Sequence, residues 1–129
     1  MSLPASARVV TFLGTRDREA AKVFYRDALG LAVIGEDPFA LVLETDGRTI
    51  RISELKDFAP RRFTALGWHV DDIVAVVTAL RKKGVVFQVY DGFGQDDFGI
   101  WTSPDKSALV AWFTDPDGNI LSLTQFQNA

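Results

Sequence analysis

Few residues in this chain could act on, or hold, a small molecule, and several of them stand at matched places in a repeat. Arg51 and Ser122 each lie four residues beyond a turn glycine, Gly47 and Gly118, and Ser53 and Thr124 follow two residues later. A guanidinium in such a place can anchor a carboxylate or an enolate-like oxygen through paired N–H donors. It can equally pair with Glu44 or another carboxylate of the chain, or point to solvent. His69 is the only histidine. It could serve as a general base or a hydrogen-bond donor near neutral pH, or simply bond to backbone or to Asp71 at a strand end. A lone His excludes a His-pair metal site. The absence of Cys excludes thiolate metal sites, disulfides and Cys nucleophiles. No phosphate-cradling glycine loop and no Ser/His/Asp order is present, and Asp91, Asp96 and Asp97 read as solvated turn residues.

The elements that must position these groups come in two copies. Residues 8–15 read as a strand rich in β-branched and aromatic residues. Asp17 caps a helix with Ala21, Phe24, Tyr25 and Ala28 at helical spacing, and Gly30 stops it. Strand 31–36 follows, then a hairpin, 39–45 and 48–54, around Asp46-Gly47. Leu55–Phe63, with Pro60, reads as a linker. The pattern restarts with strand 64–70. Asp71 or Asp72 caps a helix with Ile73, Val76, Val77 and Leu80 on one face, and Arg81-Lys82-Lys83 sits at the negative end of its dipole. Gly84, strand 85–90, a turn-rich loop 91–106 with a short strand near Ile100–Ser103, and a second hairpin, 107–114 and 119–126, around Asp117-Gly118 complete it.

The order βαβββ thus occurs twice: module 1–55, linker 56–63 and module 64–129, within one α+β domain. Each module covers one sheet face with its helix and leaves the other bare, so two modules with curved mixed sheets are expected around a shared cleft. A ferredoxin-like domain is the plainer alternative, but it does not require two matched Asp-Gly hairpins. Strand alternation predicts Val10, Phe12, Gly14, Val42, Arg51, Ser53, Ala65, Gly67, His69, Phe113, Ser122 and Thr124 toward the cleft. Leu41, Leu43, Ile50, Ile52, Trp112, Leu121 and Leu123 are expected under the helices. Phe93, Phe98 and Trp101 among loop glycines suit either a lid or a small satellite core.

Composition bounds the function. A net charge of −3 argues against general nucleic-acid binding. No apolar run approaches the roughly 20 residues of a membrane span, and the first residues lack a signal-peptide pattern, so a cytoplasmic protein is expected.

The segments Thr15–Leu31 (with Phe24-Tyr25-Arg26-Asp27-Ala28-Leu29-Gly30-Leu31), Val70–Ile73 and Phe113–Asn119 (with Asp115-Pro116-Asp117-Gly118-Asn119) resemble the vicinal oxygen chelate superfamily: glyoxalase I, bleomycin resistance proteins and extradiol dioxygenases. The resemblance implies two βαβββ modules around a cleft, a cleft formed between two chains in many small members, and a divalent metal in it. The implied ligands are a first-strand His and a last-strand Glu in each module. Those positions are here Val10, Arg51, Ala65 and Ser122: two side chains without donor atoms, one cation and one neutral hydroxyl. The expectation is therefore no metal and no cofactor. The chain should be a small-molecule-binding protein of the bleomycin-resistance type, a homodimer holding an aromatic or anionic ligand. Phe12, Arg51, Ser53, His69, Phe113 and Ser122 are the ligand-binding candidates. The alternative is a lyase- or isomerase-type enzyme of the same superfamily, with His69 as base in a non-standard site.

Overall fold

Asp17 and Asp72 each open a helix in the expected way. The computed structural model describes residues 2–127. The Asp17 carboxylate accepts from the Ala20 amide at 3.2 Å and that of Asp72 from the Ala75 amide at 3.1 Å, which satisfies one orphan donor at each helix start. The chain divides into two compact units, Met1–Ala59 and Pro60–Ala129.

In the first unit, β1 (Val10–Thr15) leads to α1 (Arg18–Lys22), which continues as a π-helical segment, Val23–Ala28. β2 (Ala32–Glu36), β3 (Ala40–Thr45) and β4 (Arg48–Glu54) follow. The sheet order is β1-β4-β3-β2, with β1 parallel to β4 and the other pairs antiparallel. Asp46 and Gly47 both have positive φ, 50° and 68°, the geometry of a two-residue turn whose twist matches the strands it joins. One sheet face carries Leu13, Leu41, Leu43, Ile50 and Ile52. With Ala21 and Tyr25 of the helical segment these are buried, each large side chain contributing about 1.5–3 kcal/mol. No helix of the unit covers the other face, which carries the register row Phe12–Arg51–Val42–Gly35.

The second unit repeats the plan: β5 (Thr64–His69), α2 (Ile73–Lys82), β6 (Trp101–Thr102), β7 (Ala108–Thr114) and β8 (Ile120–Phe126), in the order β5-β8-β7-β6. Ile73 and Val77 of α2, with Ala111, Phe113, Leu121 and Leu123 of the sheet, form its core. Residues 85–90, expected as a strand, make only one isolated bridge, Phe87 to Phe113. The Gln95 side chain takes over part of the role of a neighbouring strand. It donates to the carbonyls of Gln88 (2.9 Å) and Gly99 (2.7 Å) and accepts from the Tyr90 amide (2.7 Å). The segment expected as a linker is tied down within both units: the Phe58 ring packs on Gly14, and Pro60 lies against Gly118.

Candidate functional site

The face of the second sheet opposite α2 is built by the register Gly67–Ser122–Trp112 across β5, β8 and β7. A Cβ on Gly67 would lie 2.5 Å from the Ser122 hydroxyl, so any other residue there would displace that hydroxyl. Trp112 stands among three other rings. Tyr90 lies 5.7 Å from it, Phe93 6.0 Å and Trp101 6.2 Å between centroids, and Tyr90 and Phe93 are 5.4 Å apart. These are edge and tilted contacts at the separations aromatic pairs prefer. Trp112, Trp101 and Tyr90 are half-buried and Phe93 is exposed, so the cluster offers ring surface to a visitor.

This site corrects the strand alternation expected for β7. Trp112, expected under the helix, lies on the helix-free face. Phe113, expected to face a ligand, is fully buried on the core face against Phe87, 5.3 Å between centroids. The cause is the second hairpin. Read as a two-residue Asp117-Gly118 turn, it would set Phe113 opposite Ser122. In the fold Thr114 pairs with Ile120, leaving the five residues 115–119 in the loop, and a shift of one residue exchanges the two faces of a strand. Buried Asp115 holds this wider loop. One of its carboxylate oxygens accepts from the amides of Asp117 (3.0 Å) and Asn119 (2.9 Å), and the other from the Asn119 side chain (2.7 Å). An Asp ahead of Pro-Asp-Gly was the available signal, since Asp side chains build such turns.

The other candidates distribute as follows. Ser122 is buried beside Gly67. His69 pairs with Thr124 and is exposed, its ring edge-on to Phe126 at 5.1 Å. In the first unit, Phe12 stands in register with Arg51 and is 65% exposed. Ser53 sits between Gly14 and Ala40, where Phe58 packs. Of the carboxylates open to Arg51 the partner is Asp37 and not Glu44: Arg51 Nη2 lies 2.7 Å from Asp37 Oδ2. Asp37 Oδ1 accepts from the amides of Phe39 and Ala40, both at 2.8 Å. The Arg51 hydrogen bond, followed by the Phe39 amide, holds the Asp37 carboxyl below its ordinary range.

The family model of the Glyoxalase/Bleomycin resistance protein/Dioxygenase superfamily matches residues 7–123. The chain belongs to that superfamily. No curated protein matches it at a significant level. Among solved structures it is similar to a Bacillus anthracis protein assigned to the glyoxalase family (16% identity, TM-score 0.76, covering 98% of this chain and 100% of that one). It is also similar to TnmS3, an antibiotic binding protein from Streptomyces sp. CB03234 (23%, 0.71, 98% and 100%), and to lactoylglutathione lyase from Agrobacterium tumefaciens (17%, 0.72, 96% and 100%). At these identities the likeness is one of fold.

The superfamily's divalent metal does not fit the residues at the corresponding positions. Val10 and Ala65 offer no donor atom, Arg51 is a cation already paired with Asp37, and the Ser122 hydroxyl is a weak, neutral ligand. Among the described residues no group of three or more His, Cys, Asp or Glu side chains is placed to hold an ion. Among the same residues no helix is long and apolar enough to cross a membrane.

Proposed function

We propose that this chain is a metal-free binding protein of the bleomycin-resistance type, which holds a flat aromatic molecule on the helix-free face of its second sheet. The observation that carries the reading is the four-ring cluster of Tyr90, Phe93, Trp101 and Trp112, open on one side and bordered by the Ser122 hydroxyl. Ring stacking with one or two nearby hydrogen-bonding groups recognises a planar, partly apolar molecule without chemistry on it. Phe12 and Arg51 supply a second aromatic and polar surface on the first sheet. The fold shared with an antibiotic binding protein makes an antibiotic with a flat aromatic core a reasonable class to test.

The experiment is a titration of the protein with N-phenyl-1-naphthylamine, followed by tryptophan quenching and by calorimetry, with and without EDTA. Binding in the micromolar range that EDTA leaves unchanged is expected. Trp112→Ala should weaken it by about 2 kcal/mol, the loss of one stacked ring. Unaltered affinity in Trp112→Ala would move the site away from the cluster. Loss of binding in EDTA would overturn the metal-free reading.

A further inference from the structure

We propose that Asp37 sets the charge class of the ligand. By pairing with Arg51 it leaves the Phe12–Arg51–Val42 row of the helix-free face of the first sheet without net charge, with Glu44 the next side chain of β3 on that face, so that the row takes neutral aromatic molecules and turns away carboxylates and sulfonates. The inference rests on the reading that the helix-free sheet faces of this chain take up flat aromatic molecules, and it concerns the first sheet's face alone.

The geometry shows a cation placed to meet a visitor and already neutralised. Arg51 lies between Phe12 and Val42 in register, and its side chain is 30% exposed. Gly35, opposite Val42, leaves open space where a side chain would stand. A free guanidinium here would favour an anion strongly, because a charge-assisted hydrogen bond is about twice as strong as a neutral one. Asp37 occupies that role from within the chain.

Asp37 is not a passing surface partner. Its backbone amide donates to the Ala40 carbonyl at 3.0 Å, and its own carbonyl accepts from Arg18 Nη1 at 2.7 Å. One carboxylate oxygen is tied to the Phe39 and Ala40 amides, and the other faces Arg51. The carboxylate therefore cannot swing aside cheaply when a ligand anion arrives. The guanidinium has five N–H donors, and those not given to Asp37 can still serve neutral acceptors.

The test compares two fluorescent probes that differ by one sulfonate: N-phenyl-1-naphthylamine, neutral, and 8-anilinonaphthalene-1-sulfonate, anionic. The measured quantity is the ratio of their dissociation constants. Asp37→Asn keeps an oxygen for the Phe39 and Ala40 amides and removes the charge. It should shift the ratio about tenfold or more toward the sulfonate, as expected for one charge-assisted bond gained. Arg51→Gln leaves Asp37 uncompensated and should shift the ratio the opposite way, and the double variant should return it close to the parent value. An unchanged ratio in Asp37→Asn overturns the inference. If Asp37→Asn fails to fold, the parent ratio and Arg51→Gln decide together: a parent that already favours the neutral probe, with a further shift away from the sulfonate in Arg51→Gln, supports the inference, and a parent that favours the sulfonate, or no shift in Arg51→Gln, overturns it. Neutral-probe binding that Trp112→Ala weakens, with ratios indifferent to Asp37 and Arg51, overturns the inference alone. Failure of the parent protein to bind either probe overturns the binding reading and the inference together.

Discussion

At the residue scale, carboxylates in this chain act by fixing backbone. Asp105 is the clearest case. Its Oδ1 accepts from the Ser107 amide at 3.0 Å and from the hydroxyls of Ser107 and Ser103, each at 2.8 Å. These bonds, the Ser107 amide foremost, pull its carboxyl from 3.8 to about 2. They also shape the turn joining β6 to β7, and so the seat of Trp101 beside Trp112. A carboxyl lowered in the folded state favours folding when ionised in both states and loses that contribution as pH falls. Asp105 should therefore stabilise the fold fully above its ordinary value of 3.8, with the contribution fading as pH falls toward about 2. Carboxyl-carbon NMR titration should find its midpoint near 2, and Ser107→Ala should raise it. An ordinary midpoint in the parent protein would show that these bonds are not held in solution.

At the element scale, the ring cluster depends on a segment with no ladder of its own. Tyr90 ends the segment 85–90, which beyond the Gln88 amide bond to the Trp112 carbonyl (2.8 Å) lacks strand partners among the described residues, and Phe93 lies in the loop after it. Instead the Gln95 amide joins the Gln88 and Gly99 carbonyls and the Tyr90 N–H. Gln95→Leu has similar bulk and none of these bonds. It should cost about 1.5–3 kcal/mol in urea unfolding, the net worth of two or three partly buried hydrogen bonds. It should also alter tryptophan emission, because Tyr90 and Phe93 lose their support against Trp112. Full stability with parental emission would mean that the aromatic contacts and the Gln88 amide bond to the Trp112 carbonyl hold the segment without Gln95.

At the scale of the whole molecule, each unit closes one sheet face with a helix and leaves the other without one. On the helix-free face of the first sheet Val10 is 43% exposed and Phe12 65%, and Phe39, 76% exposed, lies just before β3. Exposed apolar side chains at the edge of an uncovered sheet face can pack against a second copy while leaving the Arg51 row open, and twofold pairing is the commonest assembly. We expect a homodimer. Sedimentation at micromolar concentration should give a species of twice the 14.3 kDa chain mass, and a species at the chain mass that persists on concentration would rule it out.

Local physics was legible in the chain itself. The N-caps Asp17 and Asp72, the Asp46-Gly47 turn and the βαβββ order in each unit follow from residue types at short range, and the structure carries them nearly as read. The positions where the superfamily holds its metal were likewise open to inspection by counting from the turn glycines. Three things came only with tertiary structure. Trp112 rather than Phe113 reached the helix-free face because Asp115 holds a five-residue loop, and one residue of register is invisible to a count of hydrophobic alternation. The segment 85–90 gave up its ladder to the side chain of Gln95, a partner five to seven residues away that no strand pattern announces. Asp37 met Arg51 across 14 residues of sequence, because β2 and β4 flank β3 in one sheet. Caps and turns depend on neighbours in the chain. Register, ring clusters and ion pairs depend on neighbours in space, which the sequence names only after the strands have been placed.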